Sequence, residues 1–148
     1  MGHFAKVVDG IVVDVIVAKQ DYIDTLEDKD LYIKTSYNTS MGKHWAVNKL
    51  LEEEDTSKPA LRANYATIGC QYDSVNDVFY GMKLPYESCV LNTSTWCYEE
   101  PLPKPDLTDE DKAAKKHYVW NEDVYQADTG DPKTKGWVLL EPGQKFGE

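Results

Sequence analysis

The sequence predicts a mainly β protein: one compact domain of successive antiparallel hairpins, arranged as a sandwich or small barrel, with one or two short helices. The first observation behind this is Asp9-Gly10, which separates two Val/Ile-rich runs and is the signature of a type I′ hairpin turn. The second is that three later segments, 66–80, 87–99 and 118–140, each repeat the pattern of two β-prone runs around a polar turn. The chain of 148 residues is long enough for one domain with its own core.

Between the first and second hairpins the pattern changes several times. Asp21 occupies the N-cap position before a helix of one to two turns over residues 22–26. Residues 31–37 alternate and predict a strand, and residues 44–47 are a candidate for a further short one. The charged residues 48–63 predict an exposed loop or the tip of a long hairpin.

The second hairpin has the most regular pattern of the chain. Every second residue from Ala66 to Tyr72 is apolar or aromatic, so these side chains are predicted to share one face of a strand. Residues 78–80 return on the other side of a loop over residues 73–77. Asp73 stands at the first corner of that loop, where a carboxylate can accept backbone N–H groups.

The chain is predicted to divide into a β-hairpin domain over residues 1–103, a connector over 104–116 and a C-terminal hairpin over 117–148 that packs on the same domain. Three prolines between residues 101 and 105 end any strand there. Within the connector, Thr108 is a candidate N-cap for a short helix with an acidic first turn.

The three cysteines are Cys70, Cys89 and Cys97, an odd and low number that is typical of a reducing compartment. Cys70 falls on the apolar face of the predicted strand and is expected to be an inert thiol. With Thr93 at the centre of the third hairpin's loop, Cys89 and Cys97 are equidistant from the turn. A disulfide between them requires local adjustment, and two free thiols are the favoured interpretation.

The charge of the chain excludes several classes of partner. Sixteen basic and 26 acidic residues give a net charge of −10, so nucleic acid is not an expected ligand, because phosphate binding requires clustered Lys and Arg. No run approaches the roughly 18 apolar residues of a membrane span. No leader peptide is predicted, so we expect synthesis in a cytoplasm and no membrane partner.

No catalytic group, cofactor site or metal site is predicted. His3, His44 and His117 lack a second ligand at metal-binding spacing. Four acidic side chains lie close together in the last hairpin, and they are a weak calcium candidate because their spacing does not match an EF-hand loop. These side chains are Glu122, Asp123, Asp128 and Asp131. A small hydrolase is therefore the least favoured class of function, and the protein is predicted not to be an enzyme.

Aromatic residues are the candidate interface or recognition residues, because exposed rings stack on sugars and anchor protein contacts. On hairpins, however, aromatic rings mainly form cross-strand pairs and core, and this second interpretation is favoured over recognition. The candidates are Trp45, Tyr65, Tyr80, Trp96, Trp120 and Trp137.

Several strings of residues resemble a family of small proteins from tailed phages that infect marine bacteria, cyanobacteria especially. The order and spacing of the strings carry the resemblance, which covers most of residues 1–103, and residues 118–123 resemble the family's closing hairpin. The sequence departs from the family at Cys89, where an aromatic residue is usual, and in a longer charged insert over 104–116. The strings are Met1 to Val12, Lys34 to Thr39, Leu61 to Gly69, Tyr72-Asp73 before Asp77, and Val90 to Asn92.

The resemblance implies a structural or accessory protein of the virion, made in the host cytoplasm. Such a protein decorates the capsid or forms part of the tail, and acts through contacts with other virion proteins or with its own copies. The alternative is a carbohydrate-binding or host-recognition module that uses exposed Trp and Tyr. Neither the residues nor the resemblance supplies a catalytic residue or a cofactor.

Overall fold

The computed structural model describes residues 1–145 and is mainly β, with 31% strand and 13% helix, which confirms the predicted fold class. The last three residues of the predicted C-terminal hairpin segment lie outside the described residues. The chain forms two units. The first contains residues 1–83 and 91–99, and the second contains residues 84–90 and the described residues from 100 onward. The predicted segments 1–103, 104–116 and 117–148 stay a prediction.

The strands are short except for the first two, and three short helices replace the expected one or two. The strands are β1 (Gly2–Val8), β2 (Ile11–Ala18), β3 (Tyr32–Thr35), β4 (Thr39–Ser40), β5 (Lys43–His44), β6 (Gln71–Asp73), β7 (Val78–Tyr80), β8 (Val90–Asn92), β9 (Cys97–Glu99), β10 (His117–Trp120) and β11 (Trp137–Leu140). The α-helices are α1 (Gln20–Asp24), α2 (Asp109–Ala113) and α3 (Glu122–Ala127), and a 3-10 turn covers Lys29–Leu31.

The first unit is organised around a five-stranded antiparallel sheet with the strand order β3-β1-β2-β6-β7. The predicted first hairpin is confirmed: Val8 pairs with Ile11, and Asp9 and Gly10 have φ angles of 50° and 77°, as a type I′ turn requires. The register of β1 and β2 shifts between Lys6 and Val7. This bulge leaves one additional residue on β2.

Both faces of this sheet are covered at β1, as the burial of two adjacent residues shows. Phe4 and Ala5 must point to opposite faces of the strand, and each belongs to a different cluster of buried side chains. One face carries Ala5, Val7, Val12, Ala66 and Phe79. The other face packs Phe4 and Ala18 against Ile23 of α1. Core formation therefore uses side chains on both faces of β1 and β2.

The second hairpin is confirmed at β6 and β7, but the prediction that its first strand begins at residue 66 is wrong. Ala66 is fully buried, whereas Ile68 is 68% exposed, so these two side chains do not share a buried face. Gly69 has a φ angle of +92°, and the N–H of Cys70 donates to the carbonyl of Thr67. Because of this turn, β6 begins only at Gln71.

The turn between β6 and β7 is held as predicted. Asp73 accepts the backbone N–H groups of Val75 and Asn76, at 2.9 and 3.0 Å. These bonds satisfy donors that the strands cannot reach, which is why Asp is favoured at this corner.

Residues 19–54 contain two further differences from the prediction. Asp21 lies in the first turn of α1, and Lys19 occupies the N-cap position without a side-chain hydrogen bond. Instead of a strand over 44–47, β5 ends at His44 and pairs with β4. Trp45 then forms an isolated bridge with Glu54, which partly organises the exposed loop predicted from residue 48.

The end of this loop is anchored by Asn64. Its side-chain amide donates to the carbonyls of Phe79 and Trp96, at 2.9 and 3.0 Å, and its carbonyl accepts the N–H of Met41 at 2.9 Å. Arg62 and Ala63, just before it, have φ angles of 54° and 64°. A left-handed backbone is unusual for these residue types, so tertiary bonds around Asn64 compensate for a locally unfavourable turn.

The third hairpin is confirmed at β8 and β9, but its loop covers residues 93–96. Its centre is therefore between Ser94 and Thr95 and not at Thr93, and the symmetric placement predicted for Cys89 and Cys97 is wrong. All three cysteines are free thiols. Cys70 is partly buried, and its sulfur lies 2.9 Å from the hydroxyl of Thr67.

The second unit contains the predicted fourth hairpin, in which Trp120 of β10 pairs with Trp137 of β11. Thr108 is the N-cap of α2, since its side chain accepts the N–H of Asp111. The segment predicted as a polar loop contains α3, which is capped by Asn121 through a bond from the N–H of Val124. An Asn followed by two acidic residues was the available signal for this helix.

Candidate interaction surface

Two of the six candidate aromatic residues are buried and so present no face to a partner. Trp45 is 8% exposed and Trp120 is 3% exposed. The indole N–H of Trp45 donates to the carbonyl of Ser40, and that of Trp120 donates to the carboxylate of Glu122. A buried indole requires such a bond to its N–H. The packing interpretation therefore holds for both residues.

The structure brings Tyr80 and Trp96 together in the first unit. Their ring centroids lie 6.2 Å apart, and the ring of Tyr98 lies 6.1 Å from that of Tyr80. All three rings are partly exposed. The hydroxyl of Tyr80 donates to Gln71, and burial raises the pKa of this hydroxyl. These three residues are the aromatic cluster of the third hairpin.

Tyr65 belongs to a different group in the same unit. Its ring lies 5.5 Å from those of His3 and Tyr37, with an edge-on geometry to both. Burial raises the pKa of the Tyr65 hydroxyl, whereas Tyr37 is exposed. His3 is thus part of an aromatic contact, and Tyr37 is an exposed ring that the sequence did not single out.

Trp137 lies in the second unit and supports its packing. Its ring centroid is 5.4 Å from that of Trp120, and its indole N–H donates to the carbonyl of Leu102 at 2.9 Å. The ammonium group of Lys104 lies 5.7 Å from the ring centroid. This cation lies within the range of a favourable interaction with the ring face.

Two acidic side chains of the second unit, Glu122 and Asp128, accept several hydrogen bonds from donors of the protein. Burial alone raises the pKa of Glu122, but hydrogen bonds from Ser88, Gln126 and Trp120 overcome this effect and lower the pKa to about 2. Backbone N–H groups at residues 134, 130 and 135 lower the pKa of Asp128 to about 2. Across residues 1–145, no three His, Cys, Asp or Glu side chains are grouped to hold a metal ion.

An open apolar cleft lies beside β2 in the first unit. It has a volume of about 500 Å³. Val17 and Tyr22, which lie on its wall, are 56% and 55% exposed. The cleft is lined by Met1, by residues 16–19, by Asp21 and by Tyr22. Large apolar side chains that remain exposed together indicate a contact surface. The sequence offered only the Val/Ile-rich run of β2 as a signal, and because both faces of β2 contribute to the core, this run does not distinguish exposed from buried side chains.

The backbone of β2 is also open beside this cleft. Strand β6 pairs with β2 at Ile11, and the N–H and carbonyl of Val12 bond to Cys70 and Gly69. Beyond that point the N–H of Val15 donates to the carboxylate of its neighbour Asp14 at 2.8 Å. Within the described chain, residues Val13–Val17 therefore have no strand on this side. We call these residues the open edge of β2.

No family model, curated protein or solved structure matches this chain. Among the helices that the structure describes, none is long and apolar enough to cross a membrane. The resemblance to phage proteins accordingly stays a prediction that rests on the quoted strings.

Proposed function

We propose that this protein is a non-catalytic accessory component of a phage virion, on the capsid shell or in the tail, and that it acts through protein–protein contacts. The observation that carries the contact role is the open edge of β2 beside its apolar cleft. A strand edge offers backbone donors and acceptors, and exposed apolar side chains next to it add area and selectivity. The phage setting is supported by the resemblance of residues 1–103.

The chemistry of the surface agrees with a protein partner. Val17 and Tyr22 lie on the cleft wall together with one basic and one acidic residue, Lys19 and Asp21. Interfaces that are not permanent combine an apolar centre with a polar rim of this kind. In a particle the contact repeats with every copy, so a modest affinity at each site suffices where copies also contact one another.

Mass spectrometry of purified particles tests this proposal, with the copy number measured against the major capsid protein. A number comparable with that of the capsid protein supports decoration of the shell, and a few copies support a place in the tail. Absence of the protein from particles overturns the virion role.

A pair of variants tests whether the cleft makes the contact. Tyr22→Glu places a charge on the cleft wall and is expected to reduce incorporation into particles. Val75→Glu is the matched control, since Val75 is also exposed but lies in the turn between β6 and β7. Equal incorporation of both variants contradicts the role of the cleft.

The aromatic cluster of the third hairpin favours a second candidate, a module that recognises host-surface carbohydrate. Tyr80, Trp96 and Tyr98 are partly exposed, and such rings stack on the apolar faces of sugars. A glycan array with the unmodified protein tests this candidate, with Tyr98→Ala as the variant that should lose the signal. A protein that binds no glycan, or that binds equally after Tyr98→Ala, contradicts it.

A further inference from the structure

The open edge of β2 has the geometry needed to accept another strand. The N–H of Val15 points away from β1. It donates to the carboxylate of Asp14 at 2.8 Å and not to a β1 carbonyl. Backbone groups two residues apart on a strand point the same way, so Val17 also directs its N–H and carbonyl outward. Val15 faces Ala5 and Val17 faces His3 in the register with β1.

The side chains on this edge fit against the same edge of a second copy that runs in the opposite direction. If two copies of β2 run antiparallel with Ile16 on the twofold axis, Val15 of each copy lies opposite Val17 of the other. Val17 is more than half exposed, whereas Val15 packs at the margin of the core. Each Val17 would therefore cover the margin of the other copy's core. The apolar clefts beside Ile16 would also meet across the axis.

Charge selects the antiparallel direction. Asp14 is the second residue of the open edge, and Lys19 lies two residues beyond its other end. Antiparallel pairing brings the acidic end of one copy beside the basic end of the second, whereas parallel pairing brings like charges together, which is unfavourable.

We propose that the occupant of the open edge of β2 is the same edge of a second copy of this chain, paired antiparallel about Ile16 in a twofold contact. This inference rests on the proposed role of that edge as a contact surface. Val15 of each copy exchanges backbone hydrogen bonds with Val17 of the other. The N–H of Val15 then donates to the second copy and no longer to the carboxylate of Asp14. The sheets of two first units join into one, which removes an exposed strand edge from each copy.

The first test is light scattering of the full-length protein during size-exclusion chromatography over a series of concentrations. Unmodified protein is expected to convert from monomer to dimer as the concentration rises. Val17→Pro removes the outward N–H and is expected to weaken dimerisation at least about tenfold, because half of the interchain bonds are lost. Val17→Thr keeps the N–H and the β-branched shape, and is expected to dimerise like the unmodified protein.

A second set of variants tests the register and remains informative if Val17→Pro fails to fold. Asp14→Lys and Lys19→Asp each place like charges at both ends of the paired edge and should weaken the dimer. The double variant restores unlike pairs and should restore dimerisation. Circular dichroism of every variant verifies that the β content is retained.

The outcomes separate this inference from the virion proposal. A protein that stays monomeric up to its solubility limit, or a dimer unaffected by Val17→Pro, overturns the pairing of β2 edges. A dimer that the double charge variant does not restore overturns the antiparallel register. A monomer that is nevertheless found in particles leaves the virion role standing, and a dimer absent from particles supports the pairing alone.

Discussion

The hairpin of β1 and β2 and the hairpin of β6 and β7 belong to the same sheet, but different interactions hold them in place. In the first hairpin a two-residue turn sets the register of the strands next to it, as far as the bulge between Lys6 and Val7, so this part of the structure follows from neighbouring residues. In the second, three-residue strands are anchored by Asn64, whose amide bonds the carbonyl of Phe79. One hairpin is specified locally, and the other depends on side chains that reach it from outside.

Arg62 extends the same contrast. Its guanidinium donates to the carbonyl of Lys34 at 3.0 Å and to the carboxylate of Asp77 at 2.8 Å. It therefore ties the turn before β7 to the edge strand β3. Long-range bonds of this kind let short strands persist where a two-stranded hairpin alone is marginal. Variants that weaken one hairpin and leave the other intact compare the two kinds of anchoring.

The largest effect is expected for Asn64→Ala. The change removes the donor to two backbone carbonyls and the acceptor for the N–H of Met41, and we expect a loss of about 3 kcal/mol in the free energy of unfolding. Urea denaturation measures this loss. Asn76→Ala is the control, because Asn76 is exposed and its side chain bonds Asp73 within the same turn. Similar losses for both variants would contradict a central role for Asn64.

A smaller effect is expected for Thr35→Val. The hydroxyl of Thr35 accepts the N–H of Ala66 at 2.9 Å, and both residues are buried. Valine keeps the shape but leaves that N–H without its acceptor, which should cost about 1–3 kcal/mol. Thr35→Ser keeps the hydroxyl and should lose less. Hydrogen exchange at Ala66 follows the bond directly, and unchanged protection in Thr35→Val would contradict this role.

In the first hairpin we expect a loss of about 1 kcal/mol for Gly10→Ala, because Gly10 has a φ angle of 77° that an L side chain adopts at a cost. Gly81→Ala is the matched control, since a methyl group there meets no atom within 4 Å. Thermal unfolding compares the two variants. If Gly10→Ala destabilises no more than Gly81→Ala, the turn does not determine this hairpin.

The smallest effect concerns the second unit, where the contribution of Glu122 to stability depends on pH. Hydrogen bonds hold the pKa of Glu122 at about 2, below its usual 4.5, so its contribution to stability is present above pH 4.5 and is lost as the pH falls toward 2. Asp128 acts in the same direction. The unfolding temperature of Glu122→Gln should therefore fall less steeply over this range than that of the unmodified protein. Equal slopes would contradict this assignment.

The candidate surface was predictable only in part. The Val/Ile-rich run after Asp9-Gly10 predicted β2, but not which of its side chains would remain exposed. Exposure at Val17 depends on how far β6 extends along β2, and that depends on the turn at Gly69. The aromatic candidates show the same limit: composition cannot distinguish the buried ring of Trp120 from the partly exposed ring of Trp96, because both occupy hairpins.

The sequence by itself predicted the mainly β class, the four hairpins and the cap of α2. Of these, the turn at Asp9-Gly10 and the cap of α2 are determined locally, because they are interactions between residues a few positions apart. The prediction failed over residues 66–70, where apolar alternation favoured a strand. Only the tertiary structure decided that Ala66 enters the core while Ile68 faces solvent, and that one edge of β2 stays open. The burial of Ala66 is accompanied by a bond from its N–H to the hydroxyl of Thr35, 31 positions away, a partner that no local pattern records. The open edge depends on how far β6 extends along β2 after the turn at Gly69.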